Sequence, residues 1–401
     1  MIQVTLKIRK LYVLIGLFLI VSIFVSLIVL AALIRQHPPS NSGSAAGGGS
    51  NSGNVTSTPL ISRNVPAFSS SNSSTPASYG NDGSYDDLWR SILTPAWLAY
   101  DLSSVPTTER TSILVVWYNE SFNYDHTLIN SYSYNMPEDY TIEVNPAAGG
   151  GNPPPSGWVT KITVTGNHYH SRQHILSMAG DNWLRIHVTA IDGAAENNDA
   201  NIKMDVFDSS TATADDWIFF GDSITALTMA QYTTGGVKFF AQLINDKVPV
   251  AFPIEEDGGT GYVQSNIGAQ YMQTWLSFFP GKYVVLSYGT NDANGCVSPA
   301  SFYNNYVVML QAILKAGKIP VIPHIPWGRT PNIQQCGPQI NAQIDALYKS
   351  FPQVVKGPDL WAYFQQHQNL ISNDGIHPTS AGTGQYRLLW ANTMLAEVFH
   401  T

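Results

Sequence analysis

Apolar and polar positions change their rhythm several times along this 401-residue chain. Residues 11–34 carry no charged side chain and suffice to cross a bilayer at about 1.5 Å of rise per residue, which predicts a transmembrane helix. Lys7, Arg9 and Lys10 precede this run, whereas the flank beyond Arg35 is nearly uncharged. By the positive-inside rule residues 1–10 are a cytoplasmic tail and everything later lies outside the membrane. The alternative is a long signal peptide processed near Ala31 and Ala32, which would export the same residues as a secreted protein.

Residues 35–84 turn to Ser, Gly, Asn, Thr and Pro with almost no apolar periodicity. Such a stretch buries too little surface to offset its ordering entropy, and it is expected to be a disordered linker. As a coil it would hold the next domain on the order of 40 Å from the membrane. From 85 to 210 the period becomes two. Strands are expected at 112–118, 140–144, 158–165, 174–178, 183–190 and 202–207, with a Gly/Pro loop at 147–157. Several short strands with such turns predict a β-sandwich of the jelly-roll kind.

A third rhythm fills 211–401. Short apolar strands at 217–220, 248–254, 282–287, 319–325 and 353–356 alternate with helical patterns at 227–246, 269–279, 302–316, 340–351 and 384–399. Alternation of this kind implies right-handed βαβ units and a parallel sheet covered on both faces. Its functional side chains should collect at the carboxyl ends of the strands.

Composition narrows the possibilities. A net charge of -8 with 12% charged residues excludes the clustered Lys and Arg that a phosphate backbone demands, so nucleic acid is not an expected partner. The two cysteines, Cys296 and Cys336, fall in the exported part and read as a structural disulfide rather than a reactive thiol. Sequence leaves the oligomeric state open.

Three polar motifs stand at strand ends or before the last helix: Gly221-Asp222-Ser223-Ile224, Gly289-Thr290-Asn291-Asp292 and Asp374-Gly375-Ile376-His377. A glycine cluster at 257–261 follows the second expected strand. Acyl transfer needs a nucleophilic hydroxyl, a base, a group to orient that base, and donors for the oxyanion. Ser223, His377 and Asp374 can fill the first three roles, and Pro378 favours an extended backbone at His377. For the oxyanion the candidates are the backbone N–H of Ser223, the side-chain amide of Asn291 and an N–H of one glycine in 258–261.

These motifs resemble those of the SGNH (GDSL-type) hydrolase superfamily, over about 216–401. Its nucleophile block matches Gly221 to Ile224 with Ile for Leu, its Gly-x-Asn-Asp block matches Gly289 to Asp292, and its Asp-x-x-His block matches Asp374 to His377. The usual Asn-x-Gly lead-in of its glycine block is replaced by Glu256-Asp257-Gly258, which makes Gly258 the candidate there. The resemblance implies an α/β fold of flavodoxin-like, three-layer type with a five-stranded parallel sheet, and a serine esterase that works without a cofactor or metal. The β-rich region before it is similar in placement to the jelly-roll module of two-domain carbohydrate acetylesterases. The expected substrate is therefore an O-acylated carbohydrate, with a lipid or small ester as the runner-up and a silent glycan-binding protein as the reading from another class. Trp327 and Arg329 are candidates for the substrate cleft. His168, His170 and His174 read as strand residues rather than metal ligands, because no carboxylate or thiolate pattern accompanies them.

Overall fold

A computed structural model describes residues 59–71, 75–82, 88–119, 136–167, 171–191, 199–210, 217–229, 236–248, 251, 253 and 255–401. The expected transmembrane helix at 11–34 and the first part of the linker lie outside these residues, as do His168 and His170. Among the described residues no helix is long and apolar enough to cross a membrane.

The N-terminal domain is a sandwich of two antiparallel sheets. One contains β1 (Ala67–Ser69), β3 (Ala96–Asp101), β5 (Pro137–Asn145), β6 (Val159–Val164) and β8 (Trp183–Ile191), in the order β1-β3-β8-β5-β6. The other contains β2 (Trp89–Arg90), β4 (Ser112–Tyr118), β7 (Ser171–Ser177) and β9 (Asn201–Asp208), in the order β2-β9-β4-β7. Alternation along the strands sends Leu98, Ile142, Ile186, Val115 and Met204 into one core between the sheets.

Six expected strands are present, and their neighbours reach further back than composition suggested. Residues 59–71 and 75–82, assigned above to the linker, are built into the sandwich. Phe68 of β1 pairs with Ala99, Leu60 bridges to Phe207, and the ammonium of the buried Lys203 donates to Asp82 at 2.8 Å and to the Tyr79 carbonyl at 2.7 Å. A buried cation without such partners would be costly, so this segment completes the domain. Two- and three-residue strands fall below the length at which periodicity can be seen.

The C-terminal domain holds the parallel sheet β10 (Trp217–Gly221), β11 (Glu255–Gly259), β12 (Tyr283–Ser287), β13 (Ile319–His324) and β14 (Val355–Asp359), in the order β11-β10-β12-β13-β14. Counted within the domain this is 2-1-3-4-5, the flavodoxin-like order. Around it lie α1 (Ser223–Thr228), α2 (Phe240–Asn245), α3 (Ser265–Leu276), α4 (Thr290–Asn294), α5 (Pro299–Lys315), α6 (Pro331–Ser350), α7 (Leu360–Gln366) and α8 (Ser380–Met394). Two apolar clusters, one led by Phe220, Trp275 and Tyr306 and the other by Trp217, Phe219 and Trp390, pack against the sheet. The two domains touch where the Tyr118 hydroxyl donates to the Glu255 carbonyl at 3.0 Å and the Arg172 guanidinium covers the Phe278 ring.

Three elements differ from expectation. Of the strand expected at 248–254 only 248, 251 and 253 are described, and the N–H groups of Val248 and Ala251 donate to the carbonyls of Ile244 and Val248, winding a turn off α2. The strand is the polar segment after it, where the buried Glu255 carboxylate accepts from the Ala241 N–H at 2.9 Å and so caps α2. Among the described residues of the helix expected at 227–246 lie the end of α1 and the whole of α2, with 230–235 outside them. Finally, α6 begins well before 340, because Thr330 caps the Ile333 N–H and Pro331 occupies its first turn.

Candidate active site

Gly221 ends β10, Asp222 caps the following helix by accepting the Ile224 N–H at 3.0 Å, and Ser223 is the first residue of α1. Helix and sheet approach closely there. A Cβ on Gly259 of the neighbouring strand would come within 2.2 Å of the Ala226 nitrogen, so glycine is required at that position.

The Ser223 hydroxyl lies 2.8 Å from Nε2 of His377. On the far side of the ring, Nδ1 lies 2.7 Å from Oδ2 of Asp374. The other carboxylate oxygen accepts the Ile376 N–H at 2.8 Å, the His377 N–H at 3.0 Å and the Ser372 hydroxyl at 2.7 Å. Burial alone would raise the Asp374 carboxyl, but the Ile376 N–H, the imidazole, the Ser372 hydroxyl and the His377 N–H outweigh it and lower it to about 2. An ionised Asp374 fixes the proton on Nδ1, which leaves Nε2 to accept from Ser223.

A different balance holds at Asp222. Burial first, then the neighbouring Asp292 and against the pull of the Ile224 N–H, His377 and Thr290, pushes its carboxyl up to about 7. Near neutrality this group is half protonated, as suits a carboxyl wholly inside the domain.

Asn291 sits on α4, which begins after Gly289 at φ +131°. Such a backbone angle favours glycine, and a Cβ there would also come within 2.6 Å of Ile325. The Asn291 amide donates one N–H to the Val263 carbonyl at 2.9 Å and retains a second for another acceptor. Asp292 serves structure: its oxygens accept the Ser265 hydroxyl at 2.6 Å and the Ser265 N–H at 3.0 Å, capping α3. The disulfide is formed, with Cys296 beyond α4 bonded to Cys336 on α6 across 40 residues.

Three further candidates have these places. Gly258 is the penultimate residue of β11. It pairs in register with Phe220 and packs against that ring, two residues short of the loop. The register ends with Gly221 opposite Gly259, after which the Thr260 N–H donates to the Gly221 carbonyl at 3.0 Å. Trp327, only 6% exposed, packs in the core with Leu360 and Tyr386. Arg329 is exposed, yet its guanidinium donates to the carbonyls of Ile371 and Ser372 and its N–H to the Gly375 carbonyl. It braces the loop that carries Asp374 and His377.

Sequence reasoning missed that brace, together with the Ser372 hydroxyl and the Val263 carbonyl. Only Ser372, two residues before Asp374, had a local signal, since a hydroxyl at that spacing suits a turn closed on the carboxylate. His174 is buried, hydrogen-bonded to the Tyr140 hydroxyl at 2.7 Å, and lowered to about 3 by burial and then by Arg172. Among the described residues no group of three His, Cys, Asp or Glu side chains is gathered as a metal site.

Residues 219–384 match the model of the GDSL-like Lipase/Acylhydrolase family, a span that contains Ser223, Asn291, Asp374 and His377. No curated protein matches the chain. Protein YXIM from Bacillus subtilis is 14% identical with a TM-score of 0.42, covering 82% of this chain and 87% of its own. A carbohydrate esterase of family 3 from Talaromyces cellulolyticus is 17% identical with a TM-score of 0.37, covering 46% of this chain and 99% of its own. A chitosan-binding module from a chitosanase/glucanase of Paenibacillus sp. IK-5 is 19% identical with a TM-score of 0.27, covering 37% and 97%.

Proposed function

We propose that this serine ester hydrolase, whose residues 219–384 form a GDSL-like hydrolase domain, removes short O-acyl groups, acetyl foremost, from carbohydrate outside the cytoplasm. The observation that carries the mechanism is the unbroken chain of contacts Ser223–His377–Asp374, at 2.8 Å and 2.7 Å. The Ser223 oxygen attacks the ester carbonyl as its proton passes to Nε2 of His377. Negative charge gathers on the carbonyl oxygen, where the Ser223 N–H, the second Asn291 amide N–H and an N–H at the end of β11 can receive it. Collapse breaks the ester C–O bond, and the departing sugar oxygen takes the proton from Nε2. Water then repeats the sequence on the acyl-serine, releasing the acid and restoring the hydroxyl.

Carbohydrate as the substrate rests on the two-domain layout and on export. Export in turn rests on the uncharged apolar run at 11–34 behind Lys7, Arg9 and Lys10, and a disulfide suits that compartment. On this reading the chain is tethered to the membrane by its N-terminal helix, with both domains outside.

The test is labelling with a fluorophosphonate, alongside acetate release from acetylated xylan and a series of p-nitrophenyl esters. Wild type should label, and Ser223→Ala should not, with activity reduced about 10⁴- to 10⁶-fold. Equal labelling of both proteins removes Ser223 as nucleophile, and no labelling of wild type favours a silent glycan-binding protein. Preference for long acyl chains with no acetate from the polymer moves the substrate to lipids.

A further inference from the structure

The solvent-facing side of the sheet that contains β8 is not an ordinary polar surface. Leu98, Ile142 and Ile186 face the core, so their strand neighbours face outward. In register across that outer face run Phe68, Ala99, Arg185, Glu143 and Thr160, with Trp97 beside His187 in the next row. Over it folds the loop at 146–157, tied down by bonds from the Gly150 N–H to Asp101 at 2.6 Å, from the Trp183 indole to the Ala148 carbonyl at 3.2 Å and from the Trp158 indole to the Pro154 carbonyl at 2.8 Å. Between this loop and the segment around Ser78 lies a cleft of about 630 Å³, lined by Phe68, Trp97, Arg185, Pro153 and Ser78 among others. That volume is within the range of small-molecule sites. None of its lining residues belongs to the domain of Ser223.

Its chemistry selects a ligand class. Arg185 is the one charged residue among those lining it, and its charge is spoken for. Its guanidinium contacts Glu143 at 2.6 Å and stacks on Trp158 at 4.2 Å from the ring centre. An anionic ligand would meet the carboxylate along with the cation and gain little. A hydrocarbon chain would strip water from Ser78, Asn152 and the prolyl carbonyls without replacing their hydrogen bonds. A neutral sugar has what both lack, a C–H face to lie on Trp97 or Phe68 and hydroxyls to bond the polar rim.

We propose that this cleft is a second carbohydrate site, which holds neutral polysaccharide on the β-sandwich independently of hydrolysis at Ser223. The inference needs only the cleft and stands apart from the reading of the active site.

The experiment uses the full chain carrying Ser223→Ala, so that no substrate is consumed, in affinity electrophoresis. Gels contain neutral polysaccharides (xylan, glucomannan, β-glucan, galactan) or acidic ones (pectate, alginate). At least one neutral polymer should retard the parent, and adding Trp97→Ala should weaken that retardation about tenfold or more. Because Trp97 is half-buried, Ser78→Trp serves as the second variant: it fills the cleft from an exposed rim position and should abolish retardation as well. The proposal is overturned if no neutral polymer retards the parent, if acidic polymers bind more strongly, or if Ser78→Trp binds like the parent. Acetate release by wild type is scored separately. Release with binding unaffected by either variant sinks the cleft and leaves the esterase standing; cleft-dependent binding without release does the reverse.

Discussion

The side-chain amide of Asn291 donates to the carbonyl of Val263 at 2.9 Å, and that one bond sets the plane in which its remaining N–H lies. A donor held in advance costs no reorganisation when charge develops on the substrate oxygen. Asn291→Ala should therefore lower kcat about 10²- to 10³-fold with little change in KM, measured on p-nitrophenyl acetate. A rise in KM at constant kcat would assign Asn291 to ground-state binding instead.

Asp374 accepts four hydrogen bonds and is lowered to about 2, so it stays ionised throughout the working range of the enzyme. Asp374→Asn keeps the shape but loses the charge that holds the proton on Nδ1, and kcat should drop about 10⁴-fold. The wild-type rate profile should show no inflection from a carboxylate near pH 4. Such an inflection, lost in Asp374→Asn, would contradict the assignment.

The same two aspartates bend stability in opposite directions with pH. The folded Asp222 holds its proton up to about 7, above the unfolded value, so the folded state binds more protons between about pH 4 and 7. Its contribution to stability falls as pH rises through that window. Asp374, lowered to about 2, stabilises above about pH 4 and loses that contribution as pH falls through about 2. Asp222→Asn keeps a capping oxygen and should flatten the decline between about pH 4 and 7 in urea titrations. An unchanged slope would show that Asp222 is ionised throughout.

Arg329 holds the loop from Ile371 to Gly375 by three backbone carbonyls. Arg329→Ala should reduce kcat by up to about 10²-fold through misplacement of His377, with no preference among ester substrates. A change confined to one substrate class would make it a binding residue after all.

The bridge between Cys296 and Cys336 closes a 40-residue loop that begins just beyond α4, the helix of Asn291. In the chain-entropy model that is worth about 4 kcal/mol, so the double variant Cys296→Ser, Cys336→Ser should unfold at clearly lower denaturant. Coincident unfolding curves for the two proteins would mean that the bridge adds nothing.

Much of this molecule was legible from local pattern. The strand at Ser112–Tyr118 and the alternating one at Trp183–Ile191 announce themselves because burial on one face imposes a period of two on the side chains. Trp217–Gly221 reads as a strand for another reason, since both of its faces are buried. Glu255–Gly259 gave no such signal, because its burial is satisfied by capping a helix and by close approach of α1, and neither leaves an apolar imprint.

By itself the sequence determined the chemistry on offer: a hydroxyl, an imidazole, a carboxylate and an amide, in motifs whose neighbours dictate tight turns. These are properties of residue types and of backbone angles, and they travel with the chain. Only the tertiary structure decided which groups meet. It set Ser223 against His377 across 154 residues, tied Arg329 to the loop of Asp374 and sank Trp327 in the core. The physical reason is that strand register and packing are global quantities. A shift of a single residue in β11 changes which N–H stands beside the serine, and nothing within those five residues specifies it.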